Sequence, residues 1–228
     1  MNRTKNRGFT LIEIAIVLVI IGLLLGGVLK GQELINNARV KSYANDFRNI
    51  PVYIYAYQDR FRAIPGDDPQ SLAHVTIAAA TTPAGTLANG QINGAWNETA
   101  NNTDESCVFW AQIRAANLAP GSTVVDCVTA GSTYNPTNAA GGRIGIQSAA
   151  GFATITLPTA MAGTYIICSS AIPGPFVVQL DTLLDDGNPS TGALRALNEQ
   201  APPAAATAST AAQVNGALGN TYTVCLSV

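Results

Sequence analysis

The chain begins with a long apolar stretch whose pattern predicts a membrane-spanning helix. Residues 9–29 read FTLIEIAIVLVIIGLLLGGVL, and Glu13 is the one charged residue among them. At about 1.5 Å per residue, a helix of this length spans roughly 30 Å, the thickness of the hydrocarbon core of a bilayer. Residues 1–8 carry three basic residues and no acid. The positive-inside rule therefore predicts that the chain after residue 29 lies outside the cytoplasm.

Apolar residues then recur at helical spacing beyond this segment. Their separations alternate between three and four residues, which places the side chains on one stripe of a helix that we expect to end near Arg62. Because Pro51 has no backbone N–H to donate to the Phe47 carbonyl, a bend is expected near residues 47–51. Part of the stripe should be buried by the globular region that follows. The stripe consists of Val40, Tyr43, Phe47, Ile50, Ile54, Tyr57 and Phe61.

After Arg62 the pattern changes to one of loops and short elements. Prolines and a glycine at residues 62–69 end the helix, and a charge-poor loop region extends to about Asn102. Thr103 is the expected cap of a second helix, which ends at residues 120–121.

Further on, short runs rich in β-forming residues predict an antiparallel sheet. The low-complexity run at residues 201–212 predicts a surface loop. The predicted fold class is therefore α+β, with a long N-terminal helix packed on a loop-rich head. The predicted strands are residues 151–157, 164–168 and 222–228.

The charge distribution excludes several classes of function. Charged residues make up 11% of the chain, against about 25% in ordinary globular domains. Residues 1–8 carry +3, residues 9–62 carry +2 and residues 63–228 carry −7. The acidic head lacks the basic face that nucleic-acid binding needs, so no nucleic-acid partner is predicted. His74 is the single histidine, which argues against a His-based metal cluster, a catalytic triad and an enzymatic function.

The residues at the start of the apolar stretch resemble a known processing signal. Residues 7–13 read RGFTLIE, which is similar to the cleavage and methylation motif of type IV pilins and type II secretion pseudopilins. The resemblance implies that a prepilin peptidase cleaves between Gly8 and Phe9 and methylates the new Phe9 amine. It also gives Glu13, the fifth residue of the mature chain, a role in assembly.

An uncleaved single-pass anchor is the alternative, and Glu13 argues against it. A carboxylate in hydrocarbon costs about 2.5–3.5 kcal/mol, so a plain anchor would place an apolar residue there. After cleavage, the cationic Phe9 amine could face Glu13 of a neighbouring subunit. The resemblance thus implies a structural subunit of a type IV pilus or pilus-like filament. A pseudopilin of a type II secretion system and a membrane-anchored periplasmic binding module are the other interpretations.

This resemblance also implies a domain organisation and a set of partners. It divides the chain into a leader (1–8), a transmembrane and filament-core helix (9–29), an amphipathic continuation (30–62) and a head (63–228). The implied partners are further copies of the chain in a helical homopolymer, the prepilin peptidase and a pilus or type II secretion assembly machinery. The precursor is expected in the inner membrane with a periplasmic head, and the assembled filament in the periplasm or outside the cell.

Several strings in the head also resemble prepilin-type proteins. They are AIPGD at residues 63–67, NGQING at 89–94, Glu105 and Ser106 with Trp110 and Leu118, and LLDDGNPSTG at 183–192. The middle turn lacks the acids of similar turns, so no ion site is expected at residues 89–94.

All four cysteines follow the membrane segment, as expected for an exported head with disulfides. Three pairings are possible, and free buried thiols are a further alternative. We favour Cys107 with Cys127, which closes a short excursion of the chain, and Cys168 with Cys225, which fastens the last strand to the sheet. No CxxC spacing is present, so a zinc site is not expected.

Three aspartates near residue 180 form a candidate calcium site. A short helix from Pro175 to a cap at Gly187 would place Asp181 and Asp185 one turn apart, with Asp186 beside them at the negative end of the helix dipole. A bound Ca²⁺ would neutralise the three carboxylates, and Ca²⁺ sites occur among pseudopilins. A solvated acidic turn is the alternative that the sequence favours. No other cofactor is expected.

Overall fold

The computed structural model describes most of the chain as two compact units, Met1–Arg39 and Val40–Val228. The leader with Gly8 and Phe9 lies outside the described residues, as do residues 152–157 of one predicted strand and most of the predicted loop at 201–212. The described residues are 11–82, 85–129, 133–151, 161–200, 209–210, 213–214 and 219–228.

Helix α1 runs Leu11–Phe61 and includes Pro51. The helix continues on both sides of Pro51, and the bend expected there stays a prediction. Buried side chains on both sides of the proline, from Phe47 to Ile54, hold the helix in place and offset the lost backbone hydrogen bond. From Val40 onward the predicted stripe is buried in the second unit, except for the half-buried Phe61. Helix formation here follows from tertiary burial of one apolar face.

Two further helices lie between α1 and the sheet. Helix α2 (Ser71–Val75) is short and falls in the region predicted to be loop. Helix α3 (Glu105–Ala115) begins one residue later than predicted, because its N-cap is Asp104 and not Thr103. The Thr103 hydroxyl donates to the Asn101 side chain instead. Every residue of α3 except Ala115 is buried, so this helix lies at the centre of the head.

The head contains one four-stranded antiparallel sheet in the order β1-β2-β4-β3. Two of its strands correspond to predicted ones, since β2 includes residues 165–168 and β4 includes residues 222–227. Strands β1 and β3 were not predicted. The strands are β1 (Ile144–Ser148), β2 (Tyr165–Pro173), β3 (Leu194–Asn198) and β4 (Thr221–Ser227).

Helix α4 (Gly174–Leu184) connects β2 to β3, and Pro175 lies in its first turn as predicted. Its C-cap is Asp185, two residues before the expected cap at Gly187. One main core joins the second part of α1, helices α3 and α4, and the sheet. Its large, fully buried side chains include Tyr43, Phe47, Ile54, Phe109, Trp110, Ile113, Ile146 and Ile167.

Candidate functional site

The first part of α1 exposes an unusually large apolar surface. Leu11 is 91% exposed and Leu23 is 73% exposed, and the segment is long and apolar enough to cross a membrane. Exposed apolar surface of this extent marks a region that a lipid or a protein covers. Glu13 lies in the first turn of this helix. Gly8 and Phe9, the other two predicted processing and assembly residues, lie outside the described residues.

In the head, a buried acid follows the proline-glycine turn. Asp68 is fully buried and accepts hydrogen bonds from the Tyr57 hydroxyl at 2.8 Å and from the Gln70 backbone N–H at 2.8 Å. His74 Nδ1 lies 2.7 Å from Asp68 Oδ2. These contacts explain how a carboxylate is tolerated without water. Sequence reasoning missed this network, because nothing local links Tyr57 to His74.

A cavity of about 640 Å³ lies beside Asp68 and His74. Its described lining includes Phe61, Arg62, Asp67 and Gln70, but no hydroxyl or thiol side chain. An aspartate and a histidine in contact can activate a nucleophile only if one lies within reach. The described lining of this cavity therefore places no serine, threonine or cysteine beside the pair.

Three of the four strings that resemble prepilin heads contact one another in the structure. Asp67 accepts hydrogen bonds from the backbone N–H groups of Ala88 and Gly90, and Glu105 accepts one from the Asn93 N–H at 2.7 Å. Two carboxylates thus organise the turn at residues 88–93. The turn directs backbone N–H donors at these acids, and the expectation that residues 89–94 hold no ion stays a prediction.

Gly66 lies close to Glu105, a residue of another of these strings. Its N–H donates to the Gln112 side chain at 2.6 Å, and its φ is +92°. A Cβ at this position would lie 2.7 Å from the Glu105 carbonyl oxygen. The position therefore requires glycine for two independent reasons.

The three aspartates predicted to bind calcium converge at the end of α4. One carboxylate oxygen from each of Asp181, Asp185 and Asp186 lies within 4.8 Å of the others. Asp185 accepts hydrogen bonds from the N–H groups of Ala193 and Leu194, at 2.5 and 2.9 Å. These bonds connect the cluster to the start of β3.

Asp181 differs from its two neighbours. It is fully buried, and neither of its carboxylate oxygens has a hydrogen-bond partner. Burial, followed by the charge of Asp186, raises the pKa of Asp181 to about 7, although the nearby Gly187 backbone lowers it in part. A buried carboxylate among other carboxylates is costly unless a proton or a cation neutralises it.

Both disulfides are present with the pairing favoured from the sequence. Cys107 in α3 pairs with Cys127, and Cys168 in β2 pairs with Cys225 in β4. The second pair is directly opposed across the two strands, with a Cα–Cα distance of 4.1 Å. None of the four is a free thiol, so the head suits an oxidising compartment.

Asp46 and Trp110 were also missed as site candidates. Both carry a buried polar side-chain atom without a hydrogen-bond partner. The sequence does contain a signal for Asp46. It lies three residues after Tyr43 and four before Ile50, which places it beside the apolar stripe of α1.

Comparison with known proteins identifies the N-terminal segment. Residues 3–29 match the family model described as the prokaryotic N-terminal methylation motif. No curated protein and no solved structure matches the chain. The matched segment contains residues 3–8 of the predicted leader, the predicted cleavage site and the exposed apolar part of α1. The chain therefore carries at its N-terminus the signature of type IV pilins and pseudopilins.

Proposed function

We propose that this chain is the structural subunit of a type IV pilus or pilus-like filament. The proposal rests on one observation: the methylation motif covers the exposed apolar part of a helix that continues into the core of a disulfide-bonded head. The motif points to a structural protein rather than to an enzyme.

The physical basis is that residues 11–29 need a covering in every state of the protein. Before assembly, lipid removes their apolar side chains from water. In a filament, the same segments of other copies would do so. One segment therefore serves as membrane anchor and as filament core, and its exposure is a requirement of both states.

The motif supports the following partners and order of events. A prepilin peptidase removes residues 1–8 between Gly8 and Phe9 and methylates Phe9. The precursor resides in the inner membrane with its head in the periplasm, where the disulfides form. The assembly machinery of a pilus, or of a type II secretion system, then adds the subunit to a helical homopolymer. Because residues 63–228 carry a net charge of −7, nucleic acid is not among the proposed partners.

Electron microscopy of filaments sheared from the cell surface tests the proposal. A strain that produces the chain should carry fibres whose main component begins at Phe9, and a deletion strain should lack them. Loss of protein export in a deletion strain without surface fibres would assign the chain to a type II secretion pseudopilus instead. Absence of both phenotypes would support a membrane-anchored binding module.

We also propose that the aspartate cluster at the end of α4 binds Ca²⁺. The buried, unpartnered Asp181 carboxylate supports a bound cation over a solvated acidic turn, because water does not reach it. Asp185, Asp186 and loop carbonyl oxygens would complete an oxygen-rich coordination shell. The cation would also remove the repulsion between these acids and the C-terminal end of the helix dipole.

Calorimetric titration of the chelator-treated protein with CaCl₂ tests this site. Wild type should show a heat of binding and a higher melting temperature with calcium. Asp181→Asn and Asp186→Asn should lose both effects. Asp59→Asn, which alters an exposed acid on α1, should retain them. Absence of binding heat and of any melting shift in wild type would leave the solvated turn.

A further inference from the structure

The chain that follows α3 runs back along one face of this helix. Cys107 and Arg114 are seven residues apart in the sequence, which is about two helical turns, so their side chains lie on the same face of α3. The chain leaves α3 after Ala115 and reaches Cys107 again at Cys127, to which it is bridged. The bridge closes this reversal, so the two thiols must come together before it can form.

Arg114 holds the first part of the loop through backbone carbonyl groups. Its guanidinium donates to the carbonyl oxygens of Pro120 at 3.1 Å, Ser122 at 3.1 Å and Tyr134 at 2.6 Å. The loop passes so close that a Cβ at Gly121, where φ is +129°, would lie 2.5 Å from Arg114 Nε. Because a guanidinium presents its donors in a rigid fork, these bonds fix the direction of the loop as well as its distance from α3.

The surroundings of Arg114 show that its donors serve the loop. The side chain is buried, and among the described residues no carboxylate forms an ion pair with it. Burial lowers its pKa, and the Tyr134 ring lies 4.9 Å from the guanidinium carbon. A buried arginine normally pairs with an acid. Here each of the three guanidinium nitrogens bonds to a backbone carbonyl instead.

The last part of the loop is held at the other end of α3. Asn102, just before the helix, accepts hydrogen bonds from the backbone N–H groups of Cys127 at 2.7 Å and Val128 at 3.1 Å. The Tyr134 hydroxyl donates to the Cys107 carbonyl oxygen at 2.8 Å. The loop is thus fixed at both ends of α3 by contacts that involve neither sulfur atom of the bridge.

We propose that Arg114 is a positioning residue for the Cys107–Cys127 bridge, because its hydrogen bonds bring Cys127 to Cys107 before a disulfide oxidant joins the two thiols. A flexible chain holds its ends at an effective concentration on the order of millimolar, which leaves Cys127 free to pair with Cys168 or Cys225. A loop already folded onto α3 raises this concentration and excludes both wrong partners. This role belongs to the head and does not depend on filament formation.

The covalent step is a thiol–disulfide exchange with the oxidant. The Cys127 thiolate attacks one sulfur of the oxidant, which forms a mixed disulfide and releases the other half of the oxidant as a thiolate. The Cys107 thiolate then attacks the Cys127 sulfur and releases the second half. Each cysteine loses one proton, and the two electrons reduce the oxidant to two thiols. Arg114 acts only through the distance between the two sulfur atoms.

Oxidative refolding of the full-length protein in detergent tests the proposal. The reduced, urea-unfolded chain is diluted into glutathione and glutathione disulfide, quenched by alkylation at intervals and mapped by non-reducing peptide analysis. Arg114→Met removes every donor, so it should form the Cys107–Cys127 bridge about tenfold more slowly than wild type, with Cys127 present in wrong pairs. In the same molecules, the Cys168–Cys225 bridge, which the register of β2 and β4 aligns, should form at the wild-type rate.

Two further variants separate the loop contact from a general loss of stability. Gly121→Ala keeps the arginine but pushes a Cβ against its Nε, so it should slow the same bridge. Arg143→Met is the matched control, because Arg143 donates to the carbonyl oxygens of Asn97 and Glu98, at 3.2 and 2.9 Å, outside the bridged loop. It should pair its cysteines like wild type. Near-UV circular dichroism checks that each variant folds.

A bridge-free variant measures whether the loop is held without the sulfur atoms. In the double variant Cys107→Ala and Cys127→Ala, the Val128 N–H should stay protected from hydrogen exchange by Asn102. Three results would overturn the proposal. They are exchange of the Val128 amide at the rate of an unfolded chain, wild-type rate and pairing in Arg114→Met, and a slowing that affects both bridges or the Arg143→Met control equally.

Discussion

Buried acids in the head differ in whether hydrogen bonds compensate the charge of their carboxylates. Asp68 accepts hydrogen bonds from Tyr57 and Gln70 and contacts His74. Asp46 and Asp181 each bury a carboxylate oxygen that lacks a partner, and the pKa of each is raised by burial. Hydrogen bonds stabilise the ionised form of Asp68, whereas the unpartnered carboxylates of Asp46 and Asp181 need a proton or a ligand.

Replacement of Asp46 by Asn should change how stability depends on pH. The pKa of Asp46 is about 6 in the folded head and about 3.9 in an unfolded chain. Between these values the folded protein binds more protons, so the free energy of unfolding falls as the pH rises from about 4 to 6. Above pH 6 the ionised Asp46 carboxylate lowers the free energy of unfolding of wild type by a constant amount. This amount is about 1 kcal/mol after allowance for solvent screening of a half-buried group.

Thermal melting without added ligand measures this effect. The melting temperature of Asp46→Asn relative to wild type should rise from pH 4 to pH 7. Asp59→Asn is the matched control, since the Asp59 side chain is 86% exposed, and it should show no such trend. A difference between Asp46→Asn and wild type that is the same at every pH would contradict the prediction.

Glu13→Ala should block assembly while leaving processing intact. The substitution should make insertion of the apolar segment into lipid more favourable, since it removes a carboxylate that costs about 2.5–3.5 kcal/mol in hydrocarbon. It also removes the proposed partner of the Phe9 amine of an adjacent subunit. Immunoblots should show cleaved protein accumulating in the inner membrane, and electron microscopy should show few or no fibres.

Glu33→Ala provides the control for this experiment. Glu33 is an exposed acid on the same helix that pairs with Lys30 at 2.7 Å, beyond the apolar segment. This variant should form normal fibres. Fibres of normal number and length in the Glu13→Ala strain would refute the pairing of Glu13 with the Phe9 amine.

At the scale of elements, the two disulfides stabilise different parts of the head. The Cys168–Cys225 bridge joins strands β2 and β4 over a sequence separation of 57 residues. The Cys107–Cys127 bridge joins α3 to the loop that follows it over a sequence separation of 20 residues. The loop-entropy model gives about 4 kcal/mol for the longer loop and about 3 kcal/mol for the shorter. Removal of Cys168 with Cys225 should therefore destabilise the head more than removal of Cys107 with Cys127.

Denaturant unfolding of the two double Cys→Ala variants measures this order. Non-reducing peptide mapping of wild type should recover the two bridges. Four thiols that alkylate in the native protein would contradict the presence of both bridges. A larger loss on removal of the shorter bridge would contradict the order of their contributions.

The close contact of Gly66 with Glu105 predicts how much stability the head loses when alanine replaces this glycine. Gly66→Ala should lower the free energy of unfolding by about 3 kcal/mol, because it combines a left-handed backbone with a clash against the Glu105 carbonyl oxygen. Gly141 has a similar φ of +82° but open space around it. Gly141→Ala should therefore cost only about 1–2 kcal/mol, and equal losses in the two variants would contradict the close approach.

At the scale of the whole molecule, the methylation motif at residues 3–29 predicts one cleavage and therefore one defined mature product. The mature chain should have 220 of the 228 residues and begin with methylated Phe9. Mass spectrometry of the assembled protein measures both features. Gly8→Val should remain uncleaved, since it places a branched side chain where the peptidase meets a bare backbone. Assembled wild type that retains residues 1–8 would refute the cleavage.

Local sequence patterns were sufficient to predict helix α1 and the processing motif. The apolar run at residues 9–29 and the stripe that starts at Val40 predict α1 because helical periodicity is a property of adjacent residues. The methylation motif is equally local and was identified from residues 7–13. The cysteine pairing favoured among three possible ones rested on the placement of the cysteines relative to a predicted helix and a predicted terminal strand.

Contacts between distant parts of the chain decided the rest. Strand β1 is buried along its whole length, so it lacks the alternation that marks a half-exposed strand. Asp67 meets the turn at residues 88–90, and Asp46 lines a cavity with Trp110, although neither pairing has a local pattern. Burial raises the pKa of Asp181 only because the packed head excludes water from it. The acids thus acquire their separate roles from tertiary packing, which determines where water and hydrogen-bond donors reach them.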